Sequence, residues 1–491
     1  REVRAISKSG RMMTGWCNRK HLSLALVSAA LLAFQIALLQ LLATSQWHHF
    51  AYLVISIALL GFGAAGTILS LARQWIIARQ EQLLPLLLCG CSVLLAGSLS
   101  FIQDIIGGFD SFLLFVDYIE FLKLSIVAML LMLPFTFGAL VIGLTFITET
   151  KRIGSYYFAN MFGSGLGSLL GLAGLSLLPP QQLPPCCGLL ALAAAGVMMT
   201  GVRRGVRAGF LVSSLLVTVF LVQQPALELS QYKDLRRILD LPGARIAAYQ
   251  PAAAGQVHLV EAPALRNAAG VSLNWQGLLP SMPSVFVNGD MVGSLPPQRG
   301  SNNPRDASTF GLPYALRTPR HVLVLNAGTG ADVAQALDHG AERVLAVEPH
   351  QQMIKLLRAA TPSGFGRIFD APQVDWQMTA SRTFLARDQQ DYDLIILPSI
   401  GGFGGSSGLF ALQEQPLLTR EAMQLAWSKL NPQGLLAVTT WVDYPVRNPL
   451  RLLATLVETL EAAGIAHPAD RIAAIRSWGT ITFCIKRTPF T

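Results

Sequence analysis

The stretch Val322-Leu323-Val324-Leu325-Asn326-Ala327-Gly328-Thr329-Gly330 reads as a buried strand that runs into a glycine turn. The segment after it, 332–339, has the spacing of a helix. Glycines at such a turn let a ligand's atoms approach the backbone, and Glu348 closes the next strand-like run, 343–347. An acid at that strand end can accept hydrogen bonds from both hydroxyls of a ribose. Gly328, Gly330 and Glu348 are therefore the candidate nucleoside-binding residues. A Gly-x-Gly turn also serves simply to pack helix against strand. Asp332, on the helix that follows, reads as a solvated helix charge.

Outward from this turn, strand and helix alternate. Helices are expected at 351–359, 420–430 and 450–463, and strands at 374–378, 394–397 and 435–440. The runs 472–477 and 480–486 close the set as a hairpin. This order predicts a doubly wound α/β domain over 301–491, with ligands at the carboxyl ends of its strands. Upstream, 245–248, 256–261, 271–275 and 285–287 read as short strands between Gly, Pro and Asn, forming a β-rich segment and linker over 225–300.

The other half has a different solvent in mind. Of 491 residues 52% are hydrophobic and 13% charged, with mean hydropathy +0.46, whereas soluble domains carry roughly 25% charged residues. Residues 1–227 hold 14 Lys/Arg and 7 Asp/Glu, and so +7 of the net +9. Basic charge beside apolar runs points to a membrane surface and not to nucleic acid. Seven apolar stretches are marked, at 22–43, 50–71, 83–102, 124–147, 156–178, 186–201 and 209–222. A span needs about 20 residues, and the last two stretches are the shortest. The first is too long, and too soon followed by the second, for a cleaved signal peptide. A cytoplasmic tail over 1–21 and a transmembrane domain over 22–224 follow. Met12 or Met13 would make a more natural start than Arg1, and Thr491 follows a strand-like run with no terminal element, a pattern expected of a fragment of something longer.

Basic residues set the orientation. Arg11, Arg19 and Lys20, Arg73 and Arg79, Lys151 and Arg152, then Arg203, Arg204 and Arg207 alternate with loops carrying Trp47-His48-His49, then Asp104, Asp110, Asp117 and Glu120, then Pro179-Pro180-Gln181-Gln182. That pattern puts the N-terminus in the cytoplasm of an inner or plasma membrane. If 209–222 crosses, the C-terminal half lies outside it, in the periplasm. Gly163, Gly167 and Gly171 recur every four residues, as in closely packed membrane helices. Asn160 and Gln35 are expected to bond across helices. The spans hold no charge besides Lys123 near an end, which argues against a transporter. The scattered cysteines lack any Cys-x-x-Cys spacing, so no metal site is expected.

Taken in order, Val285-Phe286-Val287-Asn288-Gly289-Asp290, the glycine turn, Glu348 and Asp391-Tyr392-Asp393-Leu394-Ile395-Ile396 resemble spermidine synthases. With Leu59-Leu60-Gly61-Phe62-Gly63, the run 156–167, Ser230-Gln231-Tyr232-Lys233 and Ala262-Pro263-Ala264-Leu265-Arg266, the chain looks most like multi-pass membrane proteins carrying a spermidine-synthase-like domain. The resemblance implies a methyltransferase-like sheet, a decarboxylated S-adenosylmethionine cofactor and an amine acceptor. It also exposes departures. Thr329 stands where the turn of those synthases carries Asp, and Pro398-Ser399 where an Asp helps deprotonate the amine. Ala380 or Ser381 stands where an acid is expected near the adenine. The Gly- and Ser-rich loop 399–408 is flexible enough to act as a lid but offers no acid or base, and Ser399, Ser406 and Ser407 have no apparent base partner. The expected protein is thus a degenerate, non-catalytic domain acting as a binding or assembly subunit of a membrane complex. Its partners are the lipid bilayer and other subunits, and its candidate ligand is an S-adenosylmethionine-type nucleoside. The alternative is an active aminopropyl- or methyltransferase that uses Glu348.

Overall fold

The computed structural model describes residues 2–46, 50–223, 226–266, 270–297, 303–361, 368–400 and 415–490. The chain divides into two compact units, Arg1–Lys233 with Pro251–Gln256, and Asp234–Gln250 with Val257–Thr491.

The first unit is helical. Its elements are α1 (Glu2–Ser45), α2 (Phe50–Leu71), α3 (Arg73–Ala78), α4 (Gln80–Gly107), α5 (Tyr118–Thr148), α6 (Ile153–Leu177), α7 (Leu183–Val197) and α8 (Arg204–Gln223). In hydrocarbon a chain must satisfy its own backbone, and long uncharged runs do so as helices. Among the described residues six helices are long and apolar enough to cross a membrane: Arg19–Ser45, Tyr52–Leu71, Gln80–Gly107, Tyr118–Thr148, Thr150–Leu177 and Arg204–Gln223. The stretch expected at 186–201 folds instead as the 15-residue α7, which begins earlier, with Pro184 and Pro185 in its first turn. At 1.5 Å per residue it is only about 22 Å long.

Within this unit α7 lies along α1, with Leu183 beside Ala37 at one end and Ala194 beside Ser23 at the other. Its first residue, Leu183, packs where a Cβ on Gly174 of α6 would stand, and Ser23 of α1 donates to the Ala194 carbonyl at its far end (3.0 Å). One end of the bundle gathers Arg19 with Thr200 (2.5 Å), Lys20 with Glu149 (2.5 Å), and His21 stacked on Tyr156. The opposite end gathers the Ser230 amide on the Ser45 carbonyl (2.8 Å) and Lys233 Nζ on the Ala43 carbonyl (3.0 Å). The Tyr232 hydroxyl donates there to Asp110 (2.8 Å). Residues 19–21 and 230–233 therefore lie at opposite ends. The glycine stripe of α6 faces α1. A Cβ at Gly163 would stand 2.7 Å from the Ala25 Cα, and one at Gly167 only 2.5 Å from the Ala29 Cα. Ser28 of α1 donates to Asn160 beside this contact (2.7 Å), the cross-helix bond expected for that asparagine.

The second unit holds two sheets, one of four strands in the order β1-β2-β3-β4 and one of seven, β10-β11-β9-β8-β5-β6-β7. The small sheet is antiparallel: β1 (Arg245–Gln250), β2 (Val257–Glu261), β3 (Ser284–Val287) and β4 (Asp290–Ser294). In the large sheet β5 (His321–Leu325), β6 (Arg343–Val347), β7 (Val374–Gln377), β8 (Tyr392–Ile400) and β9 (Leu430–Trp441) are parallel. The hairpin β10 (Ile472–Arg476) and β11 (Thr480–Lys486) joins β9 antiparallel. Helices α9 (Asp234–Leu239), α10 (Leu312–Leu316), α11 (Ala331–Asp338), α12 (Gln351–Ala360), α13 (Ser381–Arg387), α14 (Arg420–Ser428) and α15 (Asn448–Ala462) complete the unit.

Strand β5 shows why the sheet is covered on both faces. Successive side chains point to opposite sides: Val322 and Val324 pack with Val333, Leu337, Met353 and Leu357 of α11 and α12. Leu323 and Leu325 pack with Leu385, Met423, Leu456 and Leu460 of α13, α14 and α15. Each such fully buried side chain contributes about 1.5–3 kcal/mol. This is the doubly wound, methyltransferase-type domain that the alternation and the resemblance imply. One expected strand is absent. Residues 271–275 make only an isolated bridge, Val271 to Ser308, because the alternating apolar side chains there have no sheet face to enter.

Candidate functional site

The glycine turn joins β5 to α11 through three residues of positive φ: Asn326 (50°), Gly328 (56°) and Gly330 (79°). Gly330 takes the left-handed conformation at the cap of α11, which L side chains adopt only at a cost. The Ala327 amide donates to the Val347 carbonyl (3.0 Å), tying the turn to the end of β6. Asn326 is held by Ser381, whose Oγ accepts from its amide (3.1 Å) and donates to its Oδ1 (2.7 Å).

Glu348 follows β6 and is 5% exposed. Its Oε2 accepts from the Gly328 amide (2.8 Å) and its Oε1 from the His350 amide (2.9 Å). Burial pushes its pKa up, and these two amide bonds offset part of that rise. Gly328 and Glu348 are thus joined directly, and Gly330 belongs to the same turn. Each carboxylate oxygen keeps acceptor capacity beyond its one amide, so this pair of acceptors fits two ribose hydroxyl donors.

The sequence reading missed β4. Thr329, buried, donates to the Ser294 carbonyl (2.8 Å), and a Cβ on Gly328 would stand 3.4 Å from Val292 Cγ1. The β3–β4 hairpin therefore covers the turn. Its signal was present: Asn288 and Gly289, at φ 52° and 79°, make the Asn-Gly turn that favours a tight hairpin. Asp290 lies at the hairpin tip next to α9, where Asp234 accepts from the Met291 amide (3.1 Å).

The positions where an acid was expected are neutral: Thr329 is bonded to the hairpin, Ala380 caps α13 without a side-chain bond, and Pro398 lies within β8. The reading of Asp332 as a solvated charge is overturned. It is buried and paired with Arg305 (2.6 Å), whose guanidinium lies over Phe310. Asp393 stands at the amino end of β8, away from the turn. Burial would raise its pKa, but bonds from the His321 and Arg320 amides and Asn431, with the Arg317 charge, hold it below the ordinary carboxylate value. Of the expected lid, residues 401–408 with Ser406 and Ser407 lie outside the described residues. Among the described residues no cluster of three or more His, Cys, Asp or Glu is arranged to hold a metal ion.

No protein-family profile matches the chain. It is 28% identical over 163 residues to polyamine aminopropyltransferase 2 of Pseudomonas aeruginosa, covering 33% of this chain and 45% of that one. It is 33% identical over 105 residues to a polyamine aminopropyltransferase of Streptococcus pneumoniae, covering 21% and 36%. The chain thus spans less than half the length of these curated relatives. Spermidine synthase from Thermotoga maritima aligns in structure with a TM-score of 0.32 at 13% identity, over 50% of this chain and 74% of that one. A spermidine synthase in complex with the transition-state analogue AdoDATO aligns with the same TM-score at 14% identity, over 50% and 75%. By its sequence relatives this chain carries a spermidine-synthase-like domain, together with helices apolar enough to span a membrane.

Proposed function

We propose that the protein is a membrane-anchored binding or assembly subunit whose spermidine-synthase-like domain holds an adenosine-type nucleoside and does not transfer aminopropyl groups. One observation carries this reading. Glu348 is in place with two acceptor oxygens, while Thr329, Ala380 and Pro398 leave the other expected acid positions neutral. An attacking amine must lose a proton, and a positioned base contributes about 10²–10⁴-fold to such a step. A polyamine would also find few carboxylates to bind its charges. In this reading a bound S-adenosylmethionine derivative supplies the nucleoside. Glu348 orients the ribose, and the β3–β4 hairpin shields it from water. The proposed topology has a cytoplasmic N-terminus and an extracytoplasmic α/β domain, away from the compartment where adenosylmethionine derivatives are made. That placement also favours a binding role.

The test uses purified full-length protein with decarboxylated adenosylmethionine and several amines, following methylthioadenosine release, with calorimetry of methylthioadenosine binding alongside. The expected outcome is no release. Binding should weaken by about 1.5–3 kcal/mol in Glu348→Ala, the range for hydrogen bonds to a charged group. Turnover that disappears in Glu348→Ala would establish the active transferase instead. Reporters fused after Gly201 and after Leu227 should fall on opposite sides of the membrane; the same side would return the domain to the cytoplasm.

A further inference from the structure

Between Arg266 and Asp290 the sequence contains no charged residue. In the described part of that segment Leu273 is 87% and Leu278 96% exposed. This loop is pinned. The Ser272 amide donates to the Ala307 carbonyl (2.8 Å), the Trp275 amide to the Ser272 carbonyl (3.0 Å), and Trp478 Nε1 to the Val271 carbonyl (3.1 Å). These bonds bracket Leu273, and Leu278 follows before Ser281, whose Oγ donates to the Ala262 carbonyl (3.0 Å).

The loop does not stand alone. Trp478, half-exposed, belongs to the turn between β10 and β11. Arg476 in the same hairpin donates to the hydroxyl of Tyr444 (2.8 Å), which is itself 74% exposed. Beyond Tyr444, α15 opens with exposed Arg447, Leu450 and Arg451 nearby. The one acid of that connection, Asp443, is taken up by the Arg447 and Asn448 amides (3.1 and 3.3 Å). Tyr444, Arg447 and Trp478 collect at the carboxyl edge of the large sheet, since Thr480 at the start of β11 pairs with Trp441 at the end of β9, and the Trp478 bond to Val271 brings the start of the leucine-bearing loop to the same edge. The edge combines exposed leucines, Trp and Tyr, with arginines around them.

We propose that this edge, Leu273 and Leu278 with Trp478, Tyr444, Arg447 and Arg476, docks on the headgroup layer of a lipid bilayer. The chemistry is that of an interface: leucines reach the acyl boundary, Trp and Tyr sit at the headgroups, and arginines meet anionic phosphates. A bilayer is the occupant because helices apolar enough to span one are on the same chain. A tethered surface meets lipid at high effective concentration, so even a weak patch stays engaged.

The test uses the full chain in nanodiscs of mixed neutral and anionic lipid. Nitroxide labels are placed through Leu273→Cys and Leu278→Cys, with Gln389→Cys at the amino edge as the reference and the unsubstituted chain labelled in parallel. Accessibility to oxygen should rise relative to a water-soluble nickel chelate at both leucine positions, and not at Gln389. Neutralising the rim with Arg447→Gln and Arg476→Gln should lower that ratio. Labels at 273 and 278 that behave as in water would overturn the proposal. Labels shielded from both reagents would overturn it in favour of a protein surface, a second copy included.

Discussion

Two sets of glycines, one in each unit, answer different physical demands. In α6, Gly163, Gly167 and Gly171 have ordinary helical backbone, and what they supply is the missing Cβ that lets α1 come close. In the turn after β5, Gly328 and Gly330 are needed for their positive φ. The period tells the two apart: a repeat of four along a helix marks a contact face, and a pair two apart after a strand marks a turn. The same residue type is thus read as packing in one unit and as backbone freedom in the other.

The largest test of this contrast is Gly167→Ala. The new Cβ meets backbone of Ala29, which cannot swing aside, so the helices must part. A loss of about 3 kcal/mol or more is expected, at the upper end of overpacking costs, read as a large fall in melting temperature in detergent. Gly330→Ala comes next. Its left-handed φ costs about 1–2 kcal/mol, and its Cβ runs into the movable tip of Ile368. If the turn were only a packing device, this variant would lose stability and keep nucleoside affinity; the binding reading expects both to fall.

Acid separates turn from ligand site in another way. Because burial raises the pKa of Glu348, its ionised form costs stability above the ordinary carboxylate value. Without ligand, this group therefore favours the fold more as pH falls through its raised pKa. Affinity for a ribose should move oppositely, held above that pKa and lost below it, as calorimetry across the acid range would read. Parallel movement of the two would mean that no hydroxyl sits on the carboxylate. The smallest effect is Gly165→Ala, only two residues from Gly167. Its Cβ would meet nothing within 4 Å, so helix propensity alone should stabilise by about 0.5–1 kcal/mol. A loss of stability there would mean that the face is occupied.

What was legible in the sequence was local. Val322 to Leu325, the turn and Glu348 announce themselves by alternation, glycine spacing and distance along the chain, and the structure brings Gly328 and Glu348 into direct contact. What was hidden depends on partners remote in sequence. Asp332 is a surface charge by its helix position and a buried ion by its distance from Arg305. The alternation of Val271, Leu273 and Trp275 imitates a strand, yet only tertiary structure supplies or withholds a neighbouring strand. The missed β4 contains Gly293 and opens on Asp290, so its pairing comes from the Asn288-Gly289 turn more than from its own side chains.

The bond between Glu348 and the Gly328 amide bears on how chains of this kind are sorted. An acid that braces the turn has a reason to persist after any ligand is lost, since its removal strands a half-buried amide. Its retention is therefore silent about turnover. Positions with no comparable bracing duty, such as 380 and 398, are free to drift once selection for chemistry ends. Those are the sites at which a working transferase and its retired cousins should part ways.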